Sequence, residues 1–132
     1  MPTDSEHLLK YQANRVVLDK LRADPEHLLE WISIVAFYCA VHLIEALAYH
    51  DEKRNSADHT ERSRYLTKSN HAVLHQNLNA LRTASETARY QSCRMFQAHF
   101  RASSVEYLVT YHLKTIEDYV LNVWNGGTSQ AI

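Results

Sequence analysis

Apolar residues recur along the chain at helical spacing. Leu9, Ala13, Val16, Val17 and Leu21 share one face of a first helix over about Ser5 to Leu21, because residues three and four apart are neighbours on a helix surface. A longer segment, about Pro25 to His50, is apolar on nearly every side through "WISIVAFYCAVHLIEALAYH". A helix of that kind is expected at the centre of a bundle, covered by its neighbours. A charged loop, "DEKRNSA", follows, and then a short helix over about His59 to Thr67. The fourth helix, from about His71 to at least Tyr90, repeats Leu74, Leu78, Leu81, Ser85 and Ala88 at alternating steps of four and three. The fifth, Ser104 to Val123, carries Val105, Val109, His112, Ile116, Tyr119 and Val123. These stripes predict an all-α, up-and-down bundle of four or five helices, a single domain over residues 1–132 with its core over about residues 5–123.

Helix starts are marked by chemistry as well as by periodicity. Thr3 with Glu6, Asp58 with Glu61 and Ser103 with Glu106 have capping-box spacing, in which two side chains satisfy orphan backbone N–H groups. Asp24-Pro25-Glu26 places a capping residue, a proline at the first helical position and an acid in the first turn. Gly126-Gly127 is expected to end the fifth helix. Two glycines and two prolines in 132 residues leave little turn material for a sheet protein.

Cys39 and Cys93 have no spacing that suggests a metal knuckle or a disulfide framework, so a reducing, cytoplasmic setting is expected. The N-terminal "MPTDSEHLLK" shows no basic region followed by an apolar run. The longest uncharged stretch, Trp31 to Ile44, is flanked by Glu30 and Glu45 and is shorter than the roughly 20 residues of a membrane span. A buried helix is expected there, with no membrane partner.

A net charge of -1 conceals a strong asymmetry. Residues 53–101 hold nine Lys or Arg against three Asp or Glu, a net of +6, and the remainder holds five against twelve, a net of -7. A basic half on a near-neutral protein points to an anionic ligand, or to a complementary acidic surface such as the other half of a second copy.

Three constellations carry candidate chemistry. His42 and Glu45 lie one turn apart inside the apolar helix, a spacing used in bundle-core metal sites, with His112 a candidate to face them. His71 and His75 have the i, i+4 spacing of a zinc-binding pair. With Arg82 and Arg89 they fall within about 40° of one another at about 100° per residue, a ridge suited to phosphates or to a partner's acids. The third is "DHTERSRY" (58–65) set against "SETARYQSCR" (85–94). His59 begins a helix, where the macrodipole disfavours imidazolium, and Arg62 stands one turn further on the same face. If the short helix crosses the end of the fourth, His59, Arg62, Arg89 and Tyr90 converge as a base, two cations and a phenol, the groups phosphoryl chemistry needs.

On these residues the chain resembles the HEPN superfamily, small helical bundles that include many prokaryotic ribonucleases and toxin components. The likeness rests on "WISIVAFYCAVHLIEALAYH" ending in a polar loop, on "DHTERSRYL" after it and on the Ala-Arg-Tyr of "SETARY", and covers roughly residues 5–123. It implies a homodimer and metal-independent RNA cleavage through attack by the 2'-hydroxyl. The ribonucleases of the superfamily carry an arginine followed by four to six residues and a histidine. Arg94 to His99, "RMFQAH", fits that pattern, with Met95 where a polar residue often follows the arginine; Arg22 to His27, Arg54 to His59 and Arg64 to His71 also fit.

The leading expectation is therefore a HEPN-like dimer that binds RNA or a nucleotide through His71, His75, Arg82 and Arg89 without a metal or other cofactor. His59, Arg62, Arg89 and Tyr90 are its candidate catalytic residues, and Arg94 and His99 the runner-up pair. The competing class is a non-catalytic interaction or dimerisation module, such as a toxin–antitoxin component, docking on an acidic protein. A third, a DinB-like metal-binding bundle, requires His71, His75 and a further ligand to meet at one ion.

Overall fold

The computed structural model describes residues 2–68 and 71–124, with the backbone alone at 25–27. Among them there is no strand, and the chain is all-α. Helix α1 (Asp4–Leu21) is followed by α2 (Pro25–Glu52), α3 (His59–Lys68), a 3-10 turn (Ala72–Leu74), α4 (His75–Tyr90) and α5 (Cys93–His99). The last rod is α6 (Ala102–Tyr107), a π-helical segment (Leu108–Leu113) and α7 (Lys114–Trp124). Gly126 and Gly127 lie outside the described residues.

The long apolar helix is central, as its composition requires. Ala36, Phe37, Cys39, Ala40, Leu43 and Ile44 are at most 1% exposed, and α2 packs against α1, α4, α6, the π segment and α7. By length and composition Leu28–Glu52 is apolar enough to cross a membrane, and 72% of its apolar window is buried inside the bundle. A non-helical Leu28 kinks α2 near its start. Lys53, in the left-handed region at φ 58°, ends it by returning its N–H to the Tyr49 carbonyl at 2.8 Å.

Two expected caps form. Thr3 and Glu6 make the complete capping box of α1. Asp58 Oδ1 accepts from the Glu61 N–H at 2.9 Å, while Glu61 reaches one residue further back, to the Ala57 N–H. The Ser103–Glu106 box does not form: the last rod starts two residues earlier than expected, with Arg101 as its capping residue. Glu106 instead pairs with Arg22 across the bundle.

Three further corrections concern faces and boundaries. The apolar stripe of α1 points outward except at Leu21, which packs partly buried on the core: His7, Leu8, Tyr11 and Leu18 are buried, while Leu9 is 65%, Val16 55% and Val17 46% exposed. The fourth helix starts at His75, after the 3-10 turn, and stops at Tyr90; Gln91 is extended, and Ser92 caps the separate α5 by accepting from the Met95 N–H. Phe96, 1% exposed and stacked on Phe100, anchors α5 to the core. In the last rod the wider i→i+5 turn moves the inward position from His112 to Leu113, which is fully buried.

Candidate anion-binding surface

The fold brings the N-terminus of α3, the middle of α2 and the C-terminal half of α4 together. Capping by Asp58 sets His59 in the first turn of α3, where its ring packs on Phe37 of α2 at 5.7 Å between centroids. Arg62, one turn on, lies inward and is 9% exposed. Its Nε donates to Glu45 Oε2 at 2.8 Å and its Nη1 to His59 Nδ1 at 3.0 Å. Glu45, 3% exposed, accepts the Ser56 N–H on its other oxygen at 2.7 Å. Arg62 is thus an internal cation that ties α3 and the preceding loop to α2.

The guanidinium contact also assigns the tautomer of His59. Nδ1 accepts from Arg62, so the ring proton of the half-buried imidazole sits on Nε2, which is a hydrogen-bond donor. Burial and the Arg62 guanidinium, followed by Arg82 and Arg89, hold the imidazole below its ordinary range; Glu86 opposes them. The ring is neutral at physiological pH for these reasons, and its lone pair is already engaged.

Arg82 and Arg89 project from α4 toward the same corner, close enough to act on His59 electrostatically. Arg82 Nε pairs with Glu86 one turn on, at 2.6 Å. Arg89 donates from Nη1 to the Tyr38 hydroxyl at 2.9 Å, with its guanidinium carbon 5.6 Å from the Tyr38 ring centre and 4.8 Å from that of Tyr90. Tyr90 is 71% exposed and Trp31, on the neighbouring face of α2, 57%. An open groove of about 510 Å³, lined by Glu30, Trp31, Ile34, Ala88, Arg89 and Cys93, runs beside them. Arg89 and its flanking rings are therefore the part of the corner that faces solvent.

The remaining candidates are dispersed. His71 precedes the 3-10 turn and leaves the expected ridge: its Nε2 bonds Asp51 Oδ2 at 2.8 Å and its Nδ1 bonds the Tyr119 hydroxyl at 2.7 Å. Tyr65 donates to the same Asp51 oxygen at 2.7 Å, so the cluster ties the ends of α2 and α3 to α7. His75 is half-buried at the start of α4. Among the described residues no three His, Cys, Asp or Glu side chains gather as a metal site would require. Arg94 and His99 are both exposed at the two ends of α5, about 140° apart at about 100° per residue. Arg54, Arg64 and His59 lie in the α2–α3 region, and the side chain of His27 lies outside the described residues.

His42 and Glu45 stay neighbours on one face of α2 but bond different partners, His7 and Arg62. The Asn55 amide donates to the Pro2 carbonyl at 3.0 Å, which leaves its oxygen to accept from His7 Nε2 at 2.6 Å. His7 Nδ1 lies 3.1 Å from His42 Nδ1. With both rings neutral His42 donates and His7 accepts, so His42 Nε2 carries a lone pair beside a pocket of about 410 Å³ lined by Pro2, Glu6, His7, Leu9, Lys10 and His42. Burial, His7 and Lys10 bring the His42 pKa down to about 4. The bonded partners here are 35 positions or more apart in sequence, and of them only His42 was named from its spacing. His112 bonds Asn77 of α4 at 2.9 Å and does not meet His42. A second polar cluster that the sequence did not reveal, Tyr11 donating to a buried Glu117 beside Arg15, links α1 to α7.

Compared with known proteins, the chain matches no family model, no curated protein and no solved structure.

Proposed function

We propose that this protein is a HEPN-like up-and-down helical bundle that binds single-stranded RNA, with Arg89 and its aromatic neighbours as the contact surface. One observation carries the reading: an arginine in the +6 half of the chain is held between the Tyr38 and Tyr90 rings, beside an exposed Trp31 and an open groove. Single strands are bound by this combination, a cation for the phosphate and ring faces for unstacked bases. Of the five N–H donors of Arg89, one is engaged by Tyr38 and the Nε–H is buried without a partner, which leaves three on the guanidinium end, and the Nε2–H of His59 adds a neutral donor in the same corner.

Binding is favoured over cleavage at this corner because a 2'-hydroxyl needs a base, and the lone pair of His59 is occupied by Arg62. Cleavage by the Arg94 and His99 pair is a separate reading that requires groups from another copy, since the two side chains lie apart on α5.

Fluorescence anisotropy of a labelled oligoribonucleotide, titrated at several salt concentrations, tests the proposal. Replacing Arg89 and Arg94 with alanine is expected to weaken binding and lower the salt slope by about one for each phosphate left without its cation. Tyr90→Ala is expected to lose about 1–3 kcal/mol of stacking. A double arginine variant that binds with the parent's affinity and salt slope overturns the assignment.

A further inference from the structure

The outward face of α1 is apolar where a solvated helix would be polar. Leu9, Ala13, Val16 and Val17 lie at i, i+4, i+7 and i+8, all exposed, while α1 is held to the bundle by its opposite face. With Glu6 and Lys20, both exposed, they fall within about 100° of arc at about 100° per residue. The order of these residues is palindromic in character about Ala13. Leu9 and Val17 stand four positions to either side, Lys10 and Val16 three, and Glu6 and Lys20 seven.

We propose that this stripe is the homodimer interface, with α1 of two copies packed antiparallel across a two-fold axis at Ala13. In that register Leu9 meets the partner's Val17, the aliphatic stem of Lys10 covers the partner's Val16, and Glu6 pairs with the partner's Lys20, each pairing occurring twice, as a two-fold interface requires. The smallest side chain of the stripe sits on the axis, where two helices 8–10 Å apart come closest. Charge complementarity favours a second copy as the occupant: the acid and the base at the two ends of the stripe are matched by the same stripe reversed. Leu9 and Lys10 also line the pocket beside His42, so the partner's Val16 and Val17 close over its rim. The interface is independent of the RNA reading, since it uses no residue of the α2–α4 corner. One helix pair buries less than the ~1,600 Å² of a standard interface, so the dimer dissociates on dilution.

Site-specific crosslinking tests both the face and the register. Ala13→Cys in a Cys93→Ser background, the other cysteine being buried, places two thiols on the axis and is expected to form a disulfide-linked dimer under mild oxidation. Leu9→Cys in the same background puts its thiols about 12 Å apart along the helices, beyond disulfide reach, and is expected to stay uncrosslinked unless mixed with Val17→Cys. In sedimentation equilibrium, Ala13→Arg is expected to weaken association at least tenfold with an unchanged helical spectrum. Lys20→Glu is expected to weaken it as well, and so is Glu6→Gln, which removes the charge but keeps the capping acceptor toward Thr3. A parent that stays monomeric at millimolar concentration overturns the proposal, as does equal crosslinking of the Ala13 and Leu9 variants.

Discussion

Replacing Arg62 with methionine leaves the Glu45 carboxylate 3% exposed with the Ser56 N–H as its remaining partner. Removing one member of a buried ion pair strands a charge in a poorly solvating interior, at a cost of about 3–5 kcal/mol. Domains of this size have about 5–15 kcal/mol of stability in total, so the loss is a large fraction, corresponding to a fall of roughly 10–20 °C in melting temperature. Urea denaturation followed by far-UV circular dichroism measures it directly. Combining Arg62→Met with Glu45→Gln removes the stranded charge and keeps an oxygen for the Ser56 N–H, so the double variant is expected to recover at least about 2 kcal/mol. The same pair of variants separates structure from ligand contact. If Arg62 is held internally, the folded double variant keeps the parent's salt slope for RNA, because no phosphate loses its cation, and only the His59 donor that Arg62 orients is altered. An Arg62→Met protein within about 1 kcal/mol of the parent, or no recovery on adding Glu45→Gln, refutes the reasoning.

Acid stability tests the His7–His42 pair. The unfolded chain takes up the His42 proton near pH 6.5 and the folded chain near 4, so the unfolded state holds more protons between those values. The contribution of His42 is full above pH 6.5 and is lost as the pH falls toward 4; burial sets most of its size, His7, Lys10 and Arg62 reinforce it, and Glu45 opposes it. His42→Asn is expected to flatten the acid limb of a denaturation series, and an unchanged limb in that variant contradicts the assignment. Thiol labelling tests the packing of α1 on α2. Burial pushes Cys39 up to about 12, so the native protein is expected to react at Cys93 alone, with the second thiol appearing only in denaturant; two fast native thiols show that the helix pair opens.

Much of the fold was legible locally. The α2 pattern identified the central helix because a segment apolar on every side has no stable exposed orientation, and the Leu74–Leu78–Leu81–Ser85 stripe, from the 3-10 turn into α4, is buried as its spacing indicated. The break at Gln91 and the separate α5 were not legible, because "QSCRMFQAHF" carries no glycine or proline and its anchoring by Phe96 depends on residues distant in sequence. The π segment is hidden for the same reason: whether His112 or Leu113 turns inward depends on what α4 presents, here Asn77.

The candidate site divides along the same line. His59, Arg62 and Arg89 were named from charge and spacing, and the fold brings them to one corner. Their roles diverge there, because partners from other helices allocate each group: Glu45 takes Arg62 inward, Tyr38 and Tyr90 hold Arg89 at the surface, and Asp51 and Tyr119 remove His71 from the ridge.

The order of apolar and polar residues was sufficient for an all-α chain with α2 at its centre, since helical periodicity and capping act over a few residues. The direction each face turns was not contained in that order. On α1 two faces compete, one with Leu9, Ala13, Val16 and Val17 and one with His7, Leu8, Tyr11 and Leu18. The second turns inward because the bundle offers its polar groups partners in His42 and Glu117, along with apolar cover for Leu8 and Leu18. Burying a histidine and a tyrosine is tolerable only where such partners wait, and those partners are supplied by segments 35 and 106 residues away.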